Sequence, residues 1–319
     1  MLLIQTVLSL VSFIDINPFR QGATALDLDK DGFVSESFGK ILYSNGYSES
    51  TLNHIDSIKR EIGLEKDPLR QAELKLALQF STLKATVDSY DYNKKVQDIH
   101  EITADKTVTI SNLLGKYLYQ KYNRKAVCSF GNFRFPPNPS SYYSQANYAT
   151  SLLHIDGFPK LRERIEGSIN FLKIHAPNQS PDVKSDYDEV LANFKPLVGK
   201  KTNWLSDRYD MINIWMPLNN GEVQNFPLAF REGQLKLSDF GLWQRILTMG
   251  RPLVYFPNGN YKMCYWDKMK FGDFFLFKSL KIAHEAIDLN KILKEPFEKR
   301  EANRKSFEMR CFMEKDVQK

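Results

Sequence analysis

The sequence contains few cysteines, and their spacing could not organise a fold. Only Cys128, Cys264 and Cys311 occur in 319 residues, and no two of them form a C-x-x-C pair. An odd number of widely separated cysteines indicates neither a disulfide framework nor a structural zinc site. The cysteine content therefore predicts a reducing compartment, and we expect a cytoplasmic protein.

Long apolar runs are scarce as well. After the N-terminus no segment approaches the roughly 20 apolar residues that span a bilayer, so we expect no membrane association. Residues 2–14 have the apolar character of a signal peptide, but Gln5 and Ser9 interrupt them and a basic n-region is absent. We interpret this run as a buried strand or helix, with a signal peptide as the alternative.

Charge of one sign is not concentrated anywhere. The 44 basic and 38 acidic side chains give a net charge of +6, and the two signs alternate, as in residues 294–301. Nucleic-acid binding needs basic residues on one face, so we expect no nucleic-acid partner. The mild positive balance suits a small acidic substrate.

Several common functional motifs are missing. The sequence contains no G-x-G-x-x-G fingerprint, P-loop or nucleophile elbow, so dinucleotide, nucleotide and serine-hydrolase chemistry lack support. Residues 27–32 match the opening of an EF-hand loop, but Phe38 stands where a calcium-binding loop needs glutamate. We therefore expect no calcium site there.

The pattern of apolar residues divides the chain in two. The composition, 42% apolar and 13% aromatic, is sufficient for a sizeable core. Residues 48–120 have apolar side chains at three- and four-residue steps, including Leu52, Ile55 and Ile58, which predicts a largely helical N-terminal arm over residues 1–124.

After residue 124, short alternating stretches separated by glycine, proline or asparagine predict strands. They cover residues 148–154, 169–175, 209–218, 226–230, 252–256, 261–266, 273–277 and 306–313. We predict a mainly β fold, a jelly roll or double-stranded β-helix formed by residues 125–319, on which the helical arm packs.

A candidate metal site begins at His154 and Asp156. Side chains two residues apart project from the same face of a strand, so both can reach one ion. The same tripeptide at His54 lies in a helical pattern, where it cannot chelate. His284 follows the apolar residues 274–277 and could supply a second imidazole. Two histidines and one carboxylate leave coordination positions open, as non-haem Fe(II) oxygenases require.

Near the C-terminus a strand pattern places Arg304, Ser306, Glu308 and Arg310 on one face. A guanidinium with a nearby hydroxyl suits the distal carboxylate of 2-oxoglutarate. The alternative is an exposed edge strand with an Arg310–Glu308 ion pair. The spacing alone does not separate the two interpretations.

Together these residues give the chain a family resemblance. It resembles the Fe(II)/2-oxoglutarate-dependent oxygenases that act on small biosynthetic metabolites. The similarity extends over about residues 125–315 and is carried by His154-Ile-Asp156, residues 213–218, 226–230, 261–266 and 271–277, His284, and residues 304–310.

The resemblance implies a double-stranded β-helix in which His154, Asp156 and His284 hold Fe(II). It places 2-oxoglutarate on Arg304 and Ser306, with Arg310 as a competing or supporting anchor, and it implies O2 as the co-substrate. Asp156 separates the chain from iron halogenases, which have a small residue in this position.

The chain is also similar to the algal kainoid synthases, which close a ring on an N-prenylated glutamate by hydrogen-atom abstraction and C–C bond formation. This similarity implies a small, acidic, amino-acid-derived substrate, for which we name Arg134, Tyr148, Asn213 and Trp215 as candidate contacts. Hydroxylation, desaturation and a non-catalytic jelly-roll binding protein are the alternatives. The sequence predicts no oligomeric state.

Overall fold

A computed structural model describes residues 14–19, 28–38, 51–89, 97–134, 153–156, 161–176, 181–235, 253–254, 261–292 and 300–316. Residues 1–13, which include most of the apolar N-terminal run, and Tyr148 lie outside these ranges. Among the helices so described, none combines the length and the apolar character needed to cross a membrane.

The helices lie in two main groups. They are α1 (Thr51–Leu64), α2 (Pro68–Asp88), α3 (Gln97–Ile102), α4 (Ala104–Tyr122), α5 (Leu161–His175), α6 (Pro181–Phe194), α7 (Thr202–Arg208) and the short α8 (Leu289–Ile292). Local signals determine several of their ends. Asp67 accepts hydrogen bonds from the amides of Leu69 and Arg70, which caps α2, and Asn123 ends α4 in the left-handed conformation with φ 52°.

The strands are β1 (Ile14–Phe19), β2 (Phe33–Ser37), β3 (Ala126–Cys128), β4 (Asn132–Arg134), β5 (His154–Ile155), β6 (Tyr209–Pro217), β7 (Leu228–Arg231), β8 (Leu253–Val254), β9 (Tyr261–Trp266), β10 (Asp273–Lys278), β11 (His284–Ala286) and β12 (Ser306–Glu314). They form two six-stranded sheets. The first sheet has the order β1-β9-β7-β11-β5-β8, and the second has the order β2-β10-β6-β12-β3, with β4 also paired to β12. The pairing of β1 with β9 is parallel, and the other described pairings are antiparallel.

An aromatic layer lies between the two sheets. Phe230 of the first sheet contacts Phe275 and Phe277 of the second, with ring centroids 4.7 and 5.0 Å apart, and Trp266 contacts Phe275 at 5.9 Å. These rings are buried and belong to one apolar cluster. The inward faces of the two sheets therefore pack on each other.

The outer face of the second sheet packs against the N-terminal helices. In β12, Phe307, Met309 and Cys311 belong to the same apolar cluster as α2 and α4, and Phe80 of α2 meets Phe307 edge-on at 5.9 Å. Because side chains alternate along a strand, Ser306, Glu308 and Arg310 face the first sheet. The N-terminal helices α2 and α4 thus pack on the outer face of the second sheet.

The second group of helices corrects the predicted strand at residues 169–175. These residues lie in α5, where Ile165, Ile169 and Leu172 are buried. Their spacing of four and three residues forms one face of a helix, and this face packs with α6 in a separate apolar cluster. The short window used for the strand prediction missed that periodicity. The chain is therefore richer in helix than a mainly β fold.

A disulfide joins Cys128 to Cys311, which corrects the expectation that no disulfide would form. The two residues are 183 positions apart but lie opposite each other in the register of β3 and β12, with Cα atoms 3.9 Å apart. Spacing along the chain could not reveal this contact. Cys264 is buried and free. The cysteines thus no longer indicate a reducing compartment, and the cytoplasmic location stays a prediction.

Asp29, in the segment that resembles an EF-hand, binds protein cations. One carboxylate oxygen lies 2.7 Å from Lys278 Nζ and 3.1 Å from Arg124 Nη1. Lys278 is buried and also lies 3.1 Å from Asp210. This network joins the segment containing Asp29 to the ends of β6 and β10.

Candidate metal centre

Two neighbouring strands of the first sheet bring His154, Asp156 and His284 together. His154 and His284 are direct partners in the pairing of β5 with β11, and Asp156 follows β5 immediately. One potential ligand atom from each residue lies within 4.8 Å of those of the other two. All three side chains are at least nine-tenths buried. The three residues that the sequence indicated as metal ligands therefore lie close together in the structure.

The orientation of His284 suits a metal ligand. Its Nδ1 lies 2.9 Å from the carbonyl oxygen of Ile282, so Nδ1 carries the proton and donates it. This leaves Nε2 with its lone pair available for an ion. The ring centroids of His284 and His154 are 4.4 Å apart. Phe277 packs against His284 at 4.8 Å and restricts its movement.

Asp156 is held by groups from three other elements. Asn213 Nδ2 donates to its Oδ2 over 3.1 Å and Arg310 Nε over 3.4 Å, while Arg164 Nη2 lies 3.5 Å from Oδ1. Burial opposes ionisation, but Arg310 and Arg164, with His284, hold the pKa of Asp156 well below its usual range. The side chain is therefore a carboxylate at neutral pH.

Arg310 is already paired with carboxylates. Besides Asp156, its guanidinium contacts Glu308, with Nη2 2.6 Å from Oε1. Asn213 Nδ2 donates to the same oxygen over 3.1 Å, and Arg134 Nε lies 3.8 Å from Oε2. The ion pair proposed for an exposed edge strand is thus present, but β12 lies inside the second sheet and both partners are buried. The exposed-edge interpretation is therefore wrong.

Arg304 has a different environment. Its side chain is 3% exposed and donates to the carbonyl oxygen of Phe226 over 2.9 Å and to Ser306 Oγ over 3.1 Å. Its guanidinium carbon lies 4.8 Å from the centre of the Trp215 ring. Within the described ranges, no carboxylate lies at ion-pair distance from it. Burial and the nearby Arg134 lower the pKa of Arg304 to about 9, so it stays protonated at neutral pH.

One cavity connects the histidines to Arg304. It is lined by Arg134, His154, Trp215, Leu228, Phe277, His284, Glu285, Ala286, Arg304, Glu308 and Arg310. Three buried side-chain atoms of residues at this centre have no hydrogen-bond partner among the described residues, namely Asn213 Oδ1, Trp215 Nε1 and Arg164 Nε. Unpartnered buried polar atoms are rare in folded proteins and mark a place where a ligand or water binds. The donor set of two imidazoles and one carboxylate fits Fe(II).

Most of the predicted site residues lie close together in the structure. His154, Asp156, His284, Arg304, Ser306, Arg310, Arg134, Asn213 and Trp215 all lie at or beside this cavity. Tyr148 is outside the described residues. Sequence reasoning missed Arg164, because the segment after Asp156 was not recognised as a helix that returns to the site.

Comparisons with known proteins find distant similarities. A family model described as an oxidoreductase/YMDC permease-like domain matches residues 171–313, which is less than half of the chain. No curated protein sequence matches significantly.

Among solved structures, a variant of the iron and alpha-ketoglutarate-dependent endoperoxidase NvfI is similar, with 14% identity and a TM-score of 0.49 over 94% of this chain and 82% of that chain. Another structure, described as iron and alpha-ketoglutarate-dependent endoperoxidase NvfI, gives 15% identity and a TM-score of 0.44 over 94% of this chain and 84% of that chain. Since these similarities are low, a function has to be argued from the residues of the site.

Proposed function

We propose that the chain is a non-haem Fe(II)/2-oxoglutarate-dependent oxygenase that oxidises a small acidic metabolite. The observation that carries this proposal is one cavity with two chemically different ends. At one end His154, Asp156 and His284 form an open metal-binding set, and at the other Arg304 is a buried cation without a carboxylate partner among the described residues. A keto acid that chelates a metal and ends in a carboxylate matches both ends.

In this proposal His154, Asp156 and His284 hold the iron. The three ligands leave positions for the keto acid and O2. When bound, Fe(II) would couple decarboxylation of 2-oxoglutarate by O2 to removal of hydrogen from the substrate. Asn213 and Arg310 orient the carboxylate of Asp156, and Ile282 determines which nitrogen of His284 faces the ion.

Charge balance supports Arg304 over Arg310 as the anchor for 2-oxoglutarate. Arg310 is neutralised by Asp156 and Glu308, whereas the partners of Arg304 among the described residues are neutral, one of them Ser306. A buried cation without a counter-ion gains most from an anionic ligand. We therefore assign the distal carboxylate to Arg304 and Ser306, and we assign Arg310 a supporting role at Asp156.

The strand order supports the jelly-roll, double-stranded β-helix interpretation. Along the chain β5, β7, β9 and β11 belong to the first sheet, while β6, β10 and β12 belong to the second, and the sheets face each other. In such a fold both sheets contribute to a cavity between them. We propose that residues 125–319 form this core, with α5–α7 as an insertion, and that residues 1–124 form the arm.

The charges around the cavity support an acidic substrate. Four guanidiniums, those of Arg134, Arg164, Arg304 and Arg310, face three carboxyl groups, those of Asp156, Glu308 and Glu285, and burial raises the pKa of Glu285 to about 7. Positive charge remains after the proposed keto acid has bound, since the metal also adds charge. We propose an amino-acid-derived dicarboxylate near Arg134, and ring closure of an N-prenylated glutamate is the first reaction to test.

An anaerobic titration tests the oxygenase proposal. Addition of Fe(II) and 2-oxoglutarate is expected to produce a weak visible charge-transfer band and, with substrate and O2, succinate. His154→Ala, Asp156→Ala and His284→Ala are each expected to abolish both signals. His175→Ala, on α5, is the matched control and is expected to retain them. A wild-type protein without the band would contradict the oxygenase proposal and leave the non-catalytic binding protein as the alternative.

Product masses distinguish the possible reactions. After incubation of the iron-loaded protein with a panel of N-alkylated amino acids, loss of two hydrogens indicates ring closure or desaturation, and gain of one oxygen indicates hydroxylation.

A further inference from the structure

The charge of Arg164 is balanced by a candidate metal ligand. Arg164 lies in the first turn of α5, and its Nη2 is 3.5 Å from Asp156 Oδ1. In the part of the chain that the structure describes, Asp156 is the one carboxylate at ion-pair distance from it. The Nε of Arg164 is buried and finds no acceptor there. Unpaired buried donors are costly, so this guanidinium has an unused donor for an anion.

The two guanidiniums on Asp156 differ in their other partners. Arg310 Nε and Asn213 Nδ2 approach Oδ2 of Asp156, whereas Arg164 approaches Oδ1. Arg310 has a second carboxylate partner, since its Nη2 lies 2.6 Å from Glu308 Oε1. Within the described ranges, Arg164 has no second carboxylate at such a distance. When Asp156 ligates a divalent cation, its charge is compensated by that ion, and Arg164 is the guanidinium of this pair that is left without a counter-charge.

Helix α5 keeps Arg164 beside Asp156. Ile165, Ile169 and Leu172 are buried in the apolar cluster that joins α5 to α6, so the backbone of the helix is held in place. The side chain of Arg164 is 24% exposed, which leaves a ligand access to it from solvent. Repulsion between this guanidinium and a metal ion can therefore be relieved by an anion that binds to Arg164.

We propose that Arg164 binds one carboxylate of the acidic substrate after Asp156 has bound a metal ion. The inference rests on the proposed function and names a residue that selects the substrate of that site. In the metal-free protein Asp156 occupies the guanidinium. In the loaded protein a substrate carboxylate takes its place and accepts from Nε and Nη2 of Arg164 as a bidentate pair. Because Arg164 contacts a metal ligand directly, the substrate is held next to the centre that oxidises it.

Calorimetric titrations with three probes test the proposal. The full chain is loaded with Zn(II), which such a ligand set accepts without turnover, and with saturating 2-oxoglutarate. The probes are N-prenyl-L-glutamate and its two mono-amides, N-prenyl-L-glutamine and N-prenyl-L-isoglutamine. Arg164→Gln is expected to weaken binding of the diacid by about 10-fold or more, because a charged hydrogen-bonding partner is lost. It is expected to leave the affinity for one amide unchanged, namely the amide that lacks the carboxylate bound by Arg164.

Arg162→Gln is the matched control. Arg162 lies two residues away on α5, where it is exposed and paired with Glu166 over 2.7 Å. This variant is expected to bind all three probes as wild type does.

Metal titrations separate substrate binding from a purely structural role. A residue that only orients Asp156 would weaken Zn(II) binding by about 10-fold or more when it is removed. Arg164→Gln instead removes a positive charge beside the ion, so its affinity for Zn(II) is expected to be unchanged or higher. In the wild-type protein, which needs no variant to fold, the diacid is expected to bind more tightly than either amide and more tightly with the metal than without it.

Several results would contradict the inference. They are unchanged affinity of Arg164→Gln for the diacid, equal weakening of all three probes, weaker Zn(II) binding by that variant, or wild-type protein that binds the diacid no better than the amides. If wild-type protein with Fe(II) and 2-oxoglutarate still gives the charge-transfer band, such a result would overturn this inference alone. Absence of the band would overturn the proposed function.

Discussion

At the scale of single residues, two arginines on one strand illustrate how environment assigns a role. Arg310 lies in β12 and contacts two buried carboxylates, whereas Arg304, just before β12, contacts a carbonyl, a hydroxyl and an aromatic ring. The sequence presents both as identical guanidiniums on one face. Only the packing of Asp156 and Glu308 against Arg310 distinguishes them.

This difference predicts separate defects for the two alanine variants. Arg304→Ala is expected to raise the KM for 2-oxoglutarate by roughly 10- to 100-fold, because a charged hydrogen-bonding partner is lost. Arg310→Ala is expected to weaken Fe(II) binding by about 10- to 100-fold, because Asp156 loses its orientation. Steady-state kinetics at saturating Fe(II) and metal titrations measure the two effects. If Arg310→Ala had the larger effect on the keto acid, the anchor would be reassigned.

The residues of the candidate metal centre could be predicted only in part from the sequence. His154 and Asp156 are two residues apart, so strand geometry alone places them together. His284 is 130 residues beyond His154; its position after the apolar residues 274–277 suggested it as a second imidazole, and only the family resemblance assigned it to the iron. Arg164 and Glu308 became part of the site because tertiary packing returns their elements to Asp156.

At the scale of elements, periodicity predicted the long strands well. The predicted strands at residues 209–218, 261–266, 273–277 and 306–313 are confirmed within one residue. The helical segments predicted between residues 48 and 120 are also confirmed where the structure describes them. The failure at residues 169–175 arose because a seven-residue window of mixed apolar and polar residues fits both periods.

At the scale of elements, alanine substitutions at two glycines are predicted to change the stability of the protein in opposite directions. A Cβ on Gly131, before β4, would lie 2.0 Å from ring atoms of the buried Phe307, so Gly131→Ala is expected to destabilise the protein by about 1–3 kcal/mol. Gly167 is exposed on α5 with nothing within 4 Å of such a Cβ, and Gly167→Ala is expected to stabilise it by up to about 1 kcal/mol.

Urea unfolding of both variants measures the changes in free energy. Similar values for the two substitutions would show that Phe307 can move away, and the described packing between β4, β12 and α2 would then be wrong.

At the scale of the whole molecule, contacts between distant segments hold the arm, the sheets and the site together. Lys278 at the end of β10 lies 2.7 Å from Asp29 and 3.1 Å from Asp210. No local pattern predicts such a network, because its members are separated by up to 249 residues. The pairing of Cys128 with Cys311 escaped prediction for the same reason.

Removing Lys278 is expected to be costly. Within the described ranges, Lys278→Met leaves the buried Asp210 with Lys281, at 3.3 Å, as its remaining charged partner, and we expect a loss of about 3–5 kcal/mol in the free energy of unfolding. Lys270→Met, which removes an exposed pair with Glu222, is the control and is expected to change it by less than about 1 kcal/mol. Chemical denaturation compares them, and equal losses would contradict a structural role for the buried network.

The disulfide between Cys128 and Cys311 joins β3 to β12 and also closes a long covalent loop of the chain. Every residue assigned to the iron, the keto acid or its neighbourhood, from Arg134 to Arg310, lies in the interval that this bond closes. A single cut of the backbone anywhere in that interval would leave the two fragments covalently tethered, with both histidines and Arg304 still on one connected body. The candidate metal centre therefore lies on a closed ring of polypeptide, and the first 127 residues are attached to that ring from outside.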